Sequence, residues 1–113
     1  MSPQEIIARL NLSPHPEGGH YRQTWVGDGI GRPSGTCIYF LLQADERSHW
    51  HRVDATEIWL YHAGAPLIIV PQDHWQSARS IGGHTLVSCT VSPGFRFEGF
   101  TLAPPDFDIA DAD

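Results

Sequence analysis

His49, His51 and Glu57 are the residues of this chain best suited to chemistry. The two histidines form a His-x-His pair. Glu57 lies six residues beyond His51, and Gly64 seven residues beyond Glu57. On extended backbone side chains alternate with period two, which predicts that His49 and His51 share one face. By the same rule Glu57, Trp59 and Tyr61 share a face of the next strand. Imidazole and carboxylate converging in a β interior can hold a divalent metal or transfer protons. His51 and Glu57 are therefore the candidate catalytic pair, and His49, His51, Glu57 and Gln76 the candidate metal ligands. Gln76 would offer only an amide oxygen, a weak donor for zinc and the later transition metals. A buried polar pair tying adjacent strands together would use the same two residues, since a buried carboxylate needs partners either way.

A second group of residues is suited to holding a ligand. Tyr39, Trp59, Tyr61, Trp75, Phe95 and Phe97 fall on strand-like segments. Such rings either fill a core or wall a pocket for a ring-shaped ligand. The stretch Pro14 to Gly19 is rigid and glycine-bearing, and Gly18-Gly19 permits a positive-φ turn or a close backbone approach. Glu17, His20, Tyr21 and Arg22 around it are candidates for a ligand entrance or a subunit contact. Arg22 could pair with a carboxylate or phosphate, although a plain turn joining helix to strand would also use this segment. His62 alternates away from Glu57, toward the surface, and His74 falls in a turn.

These side chains must be positioned by β structure. Ser2-Pro3-Gln4-Glu5 has the pattern of a helix start, with Ser2 as N-cap, Pro3 at the first helical position and Glu5 completing a capping box. Ile6, Ile7 and Leu10 then give an apolar stripe, which predicts a helix over 3–10. Two prolines and two glycines end it between Leu12 and Gly19. Strands are predicted over 21–26, 36–42, 49–53, 56–61, 67–70, 75–79, 85–91 and 95–102, separated by turn residues. Short strands at such spacing describe an all-β sandwich or barrel.

Length and charge narrow the function further. A chain of 113 residues makes one domain, 1–113, with a helical N-terminus over 1–12 and an acidic tail over 104–113. The net charge is -6 and only 7 residues are Lys or Arg. No basic stripe exists, so nucleic acid and anionic membranes are not expected partners. No apolar run approaches the roughly 18 residues that span a bilayer, and no signal-like N-terminus is present. A cytoplasmic location is the expectation, with Cys37 and Cys89 reduced. There is no phosphate-cradling glycine loop and no nucleophile elbow, which leaves covalent hydrolysis without support.

With these residues in view, the chain resembles the cupin superfamily, all-β proteins of jelly-roll type. His49, His51, Glu57 and Gly64 match the residue types of its first motif, although the gap between His51 and Glu57 is at least one residue longer than usual. The second motif is only echoed at Pro71-Gln72-Asp73, and Gln76 stands where its histidine would be. The chain is similar in particular to an uncharacterised cupin-like family. The residues that carry this likeness are Pro14 to Gly19, His51-Arg52-Val53 with Glu57-Ile58-Trp59, Val70-Pro71 with Trp75-Gln76, and Pro93 to Phe97. The resemblance implies a cupin-type jelly-roll barrel, a homodimer, a small-molecule ligand, and either one divalent transition metal (Ni, Zn, Fe or Mn) or none. Isomerase or epimerase chemistry follows if the protein is an enzyme, with His51 as base. A non-catalytic binding module and a metal-dependent dioxygenase are the rival readings. The last needs three good ligands. Family members place about two strands between the Gly64-Ala65-Pro66-Leu67 turn and Val70-Pro71, whereas here the two nearly abut. Either the barrel is naturally shortened, or a segment has been deleted or left out between these landmarks; a missing hairpin would expose sheet edges and open one side of the pocket.

Overall fold

The computed structural model describes residues 1–72 and 75–107, with backbone alone for 68–72. His74, Asp73 of the expected turn, and Asp108, Asp111 and Asp113 of the acidic tail lie outside the described residues. The chain opens with helix α1 (Pro3–Leu10), started as its sequence requires. The Ser2 hydroxyl accepts from the Glu5 N–H, the Glu5 carboxylate accepts from the Ser2 N–H, and both distances are 3.1 Å. Asn11, at φ 55°, closes the helix in the left-handed region.

Nine strands follow among the described residues. They are β1 (Ser13–Pro14), β2 (His20–Val26), β3 (Thr36–Gln43), β4 (Arg47–Val53), β5 (Thr56–Gly64), β6 (Leu67–Gln72), β7 (Trp75–Ser80), β8 (His84–Ser92) and β9 (Phe100–Leu102). One sheet runs β1-β2-β3-β8-β5 and the other β6-β7-β4-β9, with every pair antiparallel. This is a jelly-roll architecture made of two facing sheets. They do not close into a continuous barrel among the described residues, so the expected barrel is an open sandwich.

Alternation along β3 makes the two faces of the first sheet different. Phe40 and Leu42 point inward and pack with Val87 and Cys89 of β8 and Ala78 of β7, which joins the two sheets. Leu41 points outward, fully buried under Ile6 of α1 and Leu12. The helix is thus a lid on the outer face of the first sheet. Cys37 and Cys89 are free thiols on β3 and β8, and Cys89 is buried. In the β3–β8 register Cys89 lies opposite Ile38 and Cys37 opposite Thr90. The two thiols therefore face opposite sides of the sheet and cannot bridge.

Two parts of the chain depart from their sequence reading. The expected strand over 95–102 is a 3-10 turn (Phe97–Gly99) followed by the short β9. The rings of Phe95, Phe97 and Phe100 turn toward one another, with centroids 5.0 to 6.1 Å apart, and this clustering outweighs their strand propensity. The segment from Leu12 to Gly19, read as a turn, contributes β1 and then a loop that docks on the sandwich. His15 N–H bonds Gly19 O (2.9 Å), Gly18 N–H bonds His15 O (3.0 Å), and His49 N–H bonds Glu17 O (2.7 Å).

Among the described residues two strands that follow one another in the chain end their sheets. β5 ends the first sheet and β6 ends the second, joined only through Ala65-Pro66. Ile58 and Leu60 of β5 remain 54% and 47% exposed. Among the described residues no helix is long and apolar enough to cross a membrane.

Gly18 holds the docked loop in place at φ 109°, and a Cβ there would run into the Arg47 carbonyl oxygen. A left-handed conformation of this kind costs a non-glycine residue about 1–3 kcal/mol. Gly18→Ala is expected to lower unfolding stability by at least that amount in urea titration. A change within 0.5 kcal/mol would show that the loop does not depend on this glycine.

Candidate functional site

A cavity of about 230 Å³ opens between the sheets at the end covered by the docked loop. Its polar wall is His15, Glu17 and Glu57, and its apolar wall includes Tyr21, Ile38, Val53, Val91, Phe95 and Phe97. Half-exposed Phe97 leaves the site open to solvent. The loop brings Glu17 inside. Its carboxyl is buried, with Oε2 accepting from the Ser48 hydroxyl and lying 3.6 Å from His51 Nε2. Glu57 enters from β5, where Gln76 Nε2 donates to its Oε1 at 2.5 Å.

His51 sits behind these carboxyl groups and does not line the cavity. Its side chain is only 1% exposed, and its Nδ1 lies 2.7 Å from His49 O. A carbonyl can only accept, so Nδ1 carries the proton and Nε2 keeps its lone pair. That lone pair faces Gln76 Nε2 at 3.2 Å and Glu17. The imidazole stands against the carboxyl groups and Gln76, and the polar groups that face the cavity are Glu17, Glu57 and His15.

Burial governs the protonation of the cluster. Desolvation pushes the Glu17 carboxyl up to about 8, against the Ser48 hydrogen bond that favours its ionised form, and the nearby Glu57 adds to the rise. Glu57 is raised for the same first reason, opposed by Gln76. Burial lowers His15 to about 4, and it lowers His51 as well. The 3.5 Å approach of His15 Nδ1 to Glu17 is therefore not an ion pair at neutral pH. That nitrogen accepts the backbone N–H of Glu17 at 3.2 Å, and the imidazole is neutral.

The structure separates several residues that the sequence grouped. The β4–β7 register shifts between Ser48 and His51, a bulge that breaks the period-two alternation. Ser48 and His51 both turn inward, and the expected shared face of His49 and His51 is lost. His49 Nε2 instead bonds Pro104 O at 2.8 Å. Gln76 presents its amide nitrogen, not its oxygen, to His51 and Glu57. Of the candidate ligand contacts, Tyr21, Phe95 and Phe97 line the cavity. Arg22 bonds Leu10 O at 2.6 Å and lies over the Tyr39 ring at 5.9 Å, both beside α1. Trp75 stacks with Arg52 (4.7 Å) and Phe107 (5.3 Å), away from the cavity. Trp59 and Tyr61 border a separate cleft with Pro66, Leu67 and Val87, where the open edges leave a gap. His20 lies 3.5 Å from Glu46, and His62 bonds the Ser88 hydroxyl at 2.6 Å.

His15 was not singled out from the sequence, and Glu17 was read only as part of an entrance. The signal was present in the two glycines that follow Glu17. Such a pair permits a positive-φ turn or a close backbone approach, which here lets the loop dock with Glu17 inside.

Among the described residues no three His, Cys, Asp or Glu side chains form a group that could hold a metal ion. As placed, the donor set does not fit a transition metal. It offers one imidazole lone pair, two buried carboxyl groups, and an amide N–H₂ aimed at the same spot.

A jelly-roll sandwich with a polar cluster buried between its sheets is the cupin type of protein. The chain belongs to the family described as Cupin superfamily (DUF985), whose model matches residues 4–70 and 66–103. The two matched segments overlap at 66–70. The structure is similar to that of a hypothetical protein from Leishmania major (TM-score 0.81, 28% identity, 91% of this chain and 88% of that chain). It is also similar to a Shewanella oneidensis protein (TM-score 0.82, 32% identity, 91% and 85%). No curated protein matches the chain.

The protonation pattern makes stability depend on pH. Glu17 is raised from 4.5 to about 8, so the folded state holds an extra proton between those values. Stability from this group is lost as pH rises through that window, and Glu57 acts in the same direction. His15, lowered from 6.5 to about 4, removes stability as pH falls through its own window. The wild-type melting temperature is expected to fall between pH 6 and pH 9, and Glu17→Gln to flatten that fall. Equal slopes in the two proteins would show that Glu17 titrates normally.

Proposed function

We propose that this protein binds a small, ring-containing molecule in the cavity between its sheets, without a metal. The observation that carries this is the cavity itself. A single opening joins an apolar wall of Tyr21, Ile38, Phe95 and Phe97 to the polar groups of Glu17, Glu57 and His15. A cavity of about 150 Å³ already admits benzene, so 230 Å³ holds one ring with a short polar arm. The polar groups orient that arm, and the rings supply the affinity.

Proton transfer is the second reading, and Glu17 favours it. A carboxyl raised to about 8 is an acid at neutral pH, poised to donate a proton and take one back. Isomerase or epimerase chemistry would use it in this way, with His51 a positioning residue behind it. A dioxygenase is less well supported, because it needs ligands that the site does not bring together.

A fragment screen by ligand-observed NMR tests the binding reading. Single-ring compounds are expected to bind the wild type, and Val91→Trp, which fills the cavity, to abolish binding while the fold persists. Binding that survives the filled cavity would place the ligand elsewhere. Stoichiometric metal in the purified protein, lost in His51→Ala, would replace this reading with a metal site.

The open edges support a homodimer. The outer edge of β5, which has no partner strand among the described residues, carries exposed Ile58 and Leu60 and is the kind of edge that a second copy covers. Light scattering is expected to give a dimer for the wild type and a monomer for Leu60→Lys. A wild-type monomer would sink the idea. The free thiols of Cys37 and Cys89 suit a reducing compartment such as the cytoplasm.

A further inference from the structure

The charge of the cavity wall narrows the ligand class. All seven basic residues of the chain are arginines, at positions 9, 22, 32, 47, 52, 79 and 96, and none lines the cavity. Arg32 and Arg96 are both drawn to Asp54, at 2.6 and 3.4 Å. Arg22 is held at α1 by Leu10 O, and Arg52 lies on Trp75. Against this stand two carboxyl groups in the wall, Glu17 and Glu57, faced by Phe95, Phe97 and Tyr21. The His15 imidazole is engaged by the loop, its Nδ1 accepting the Glu17 N–H, and His51 lies behind the wall. The wall therefore holds no arginine to offset the charge of an anion.

We infer that the cavity selects a protonated organic amine carrying one ring-sized apolar group, and excludes carboxylates and phosphates. The inference rests on the small-ligand reading above and adds the charge of the ligand. An ammonium between Glu17 and Glu57 favours their ionised forms, so the proton that burial keeps on Glu17 leaves to solvent as the cation enters. The ammonium donates N–H bonds to the carboxyl oxygens, and the aromatic faces attract the same cation through their quadrupoles. A carboxylate or phosphate could accept an O–H bond from a protonated carboxyl there, but it would find no arginine to offset its charge in a low-dielectric site. Anionic ligands such as sugar nucleotides therefore do not suit this wall.

Calorimetric titration with 2-phenylethylamine, 2-phenylethanol and phenylacetate tests this. The three share a ring and an arm and differ mainly in charge. The amine is expected to bind at least tenfold more tightly than the alcohol, with no binding of phenylacetate. Glu57→Gln should bring the amine down to the affinity of the alcohol. Phe97→Lys, at a half-exposed position that leaves the core intact, should weaken the amine and admit phenylacetate. An alcohol that binds the wild type as tightly as the amine, or phenylacetate binding best, overturns the amine assignment and leaves the pocket standing. Silence of all three probes overturns both.

Discussion

The end of the sandwich that carries the site depends on keeping the Glu17 carboxyl out of water. Burying an acid is costly unless it is neutralised or hydrogen-bonded. Here it is both, through the Ser48 hydroxyl and a raised pKa. That arrangement requires the Pro14 to Gly19 loop to lie across the mouth of the two sheets. The loop lies there because Gly18 can bring its backbone against Arg47 and because Glu17 O accepts the His49 N–H. The bulge in β4 follows the same geometry, turning Ser48 and His51 inward together to meet the buried carboxyl.

The polar cluster is arranged in layers. Glu17, Glu57 and His15 face the cavity, while His51, Gln76 and Ser48 stand behind and fix their orientation. A cavity faced by acids, with an imidazole behind them, differs chemically from one that the imidazole lines directly. The acids give the wall its charge, and the imidazole stands against them. The aromatic cluster of Phe95, Phe97 and Phe100 closes the other wall, and it forms because the chain leaves strand geometry there.

The short connection between β5 and β6 has its own consequence. It leaves Trp59 and Tyr61 beside a cleft at the sheet edges, while Glu57 on the same strand reaches the cavity. One strand thus serves two surfaces. Tyr61 is 61% exposed there.

The sequence by itself determined the secondary structure of most of the chain and its family. The capping box at Ser2 and Glu5 is a local pattern, and so is the alternation in Thr36 to Leu42, because each depends on neighbours within a few residues. His51, Glu57 and Gln76 were legible as a group, since strand spacing and motif likeness both singled them out, and the structure brings them within hydrogen-bond reach. Tertiary structure alone decided which of them touch the cavity. A bulge moved His49 aside, a loop more than thirty residues upstream delivered Glu17 and His15, and burial chose their protonation. None of these follows from spacing along one strand. Each depends on what lies across the sheets, and local propensity carries no information about that.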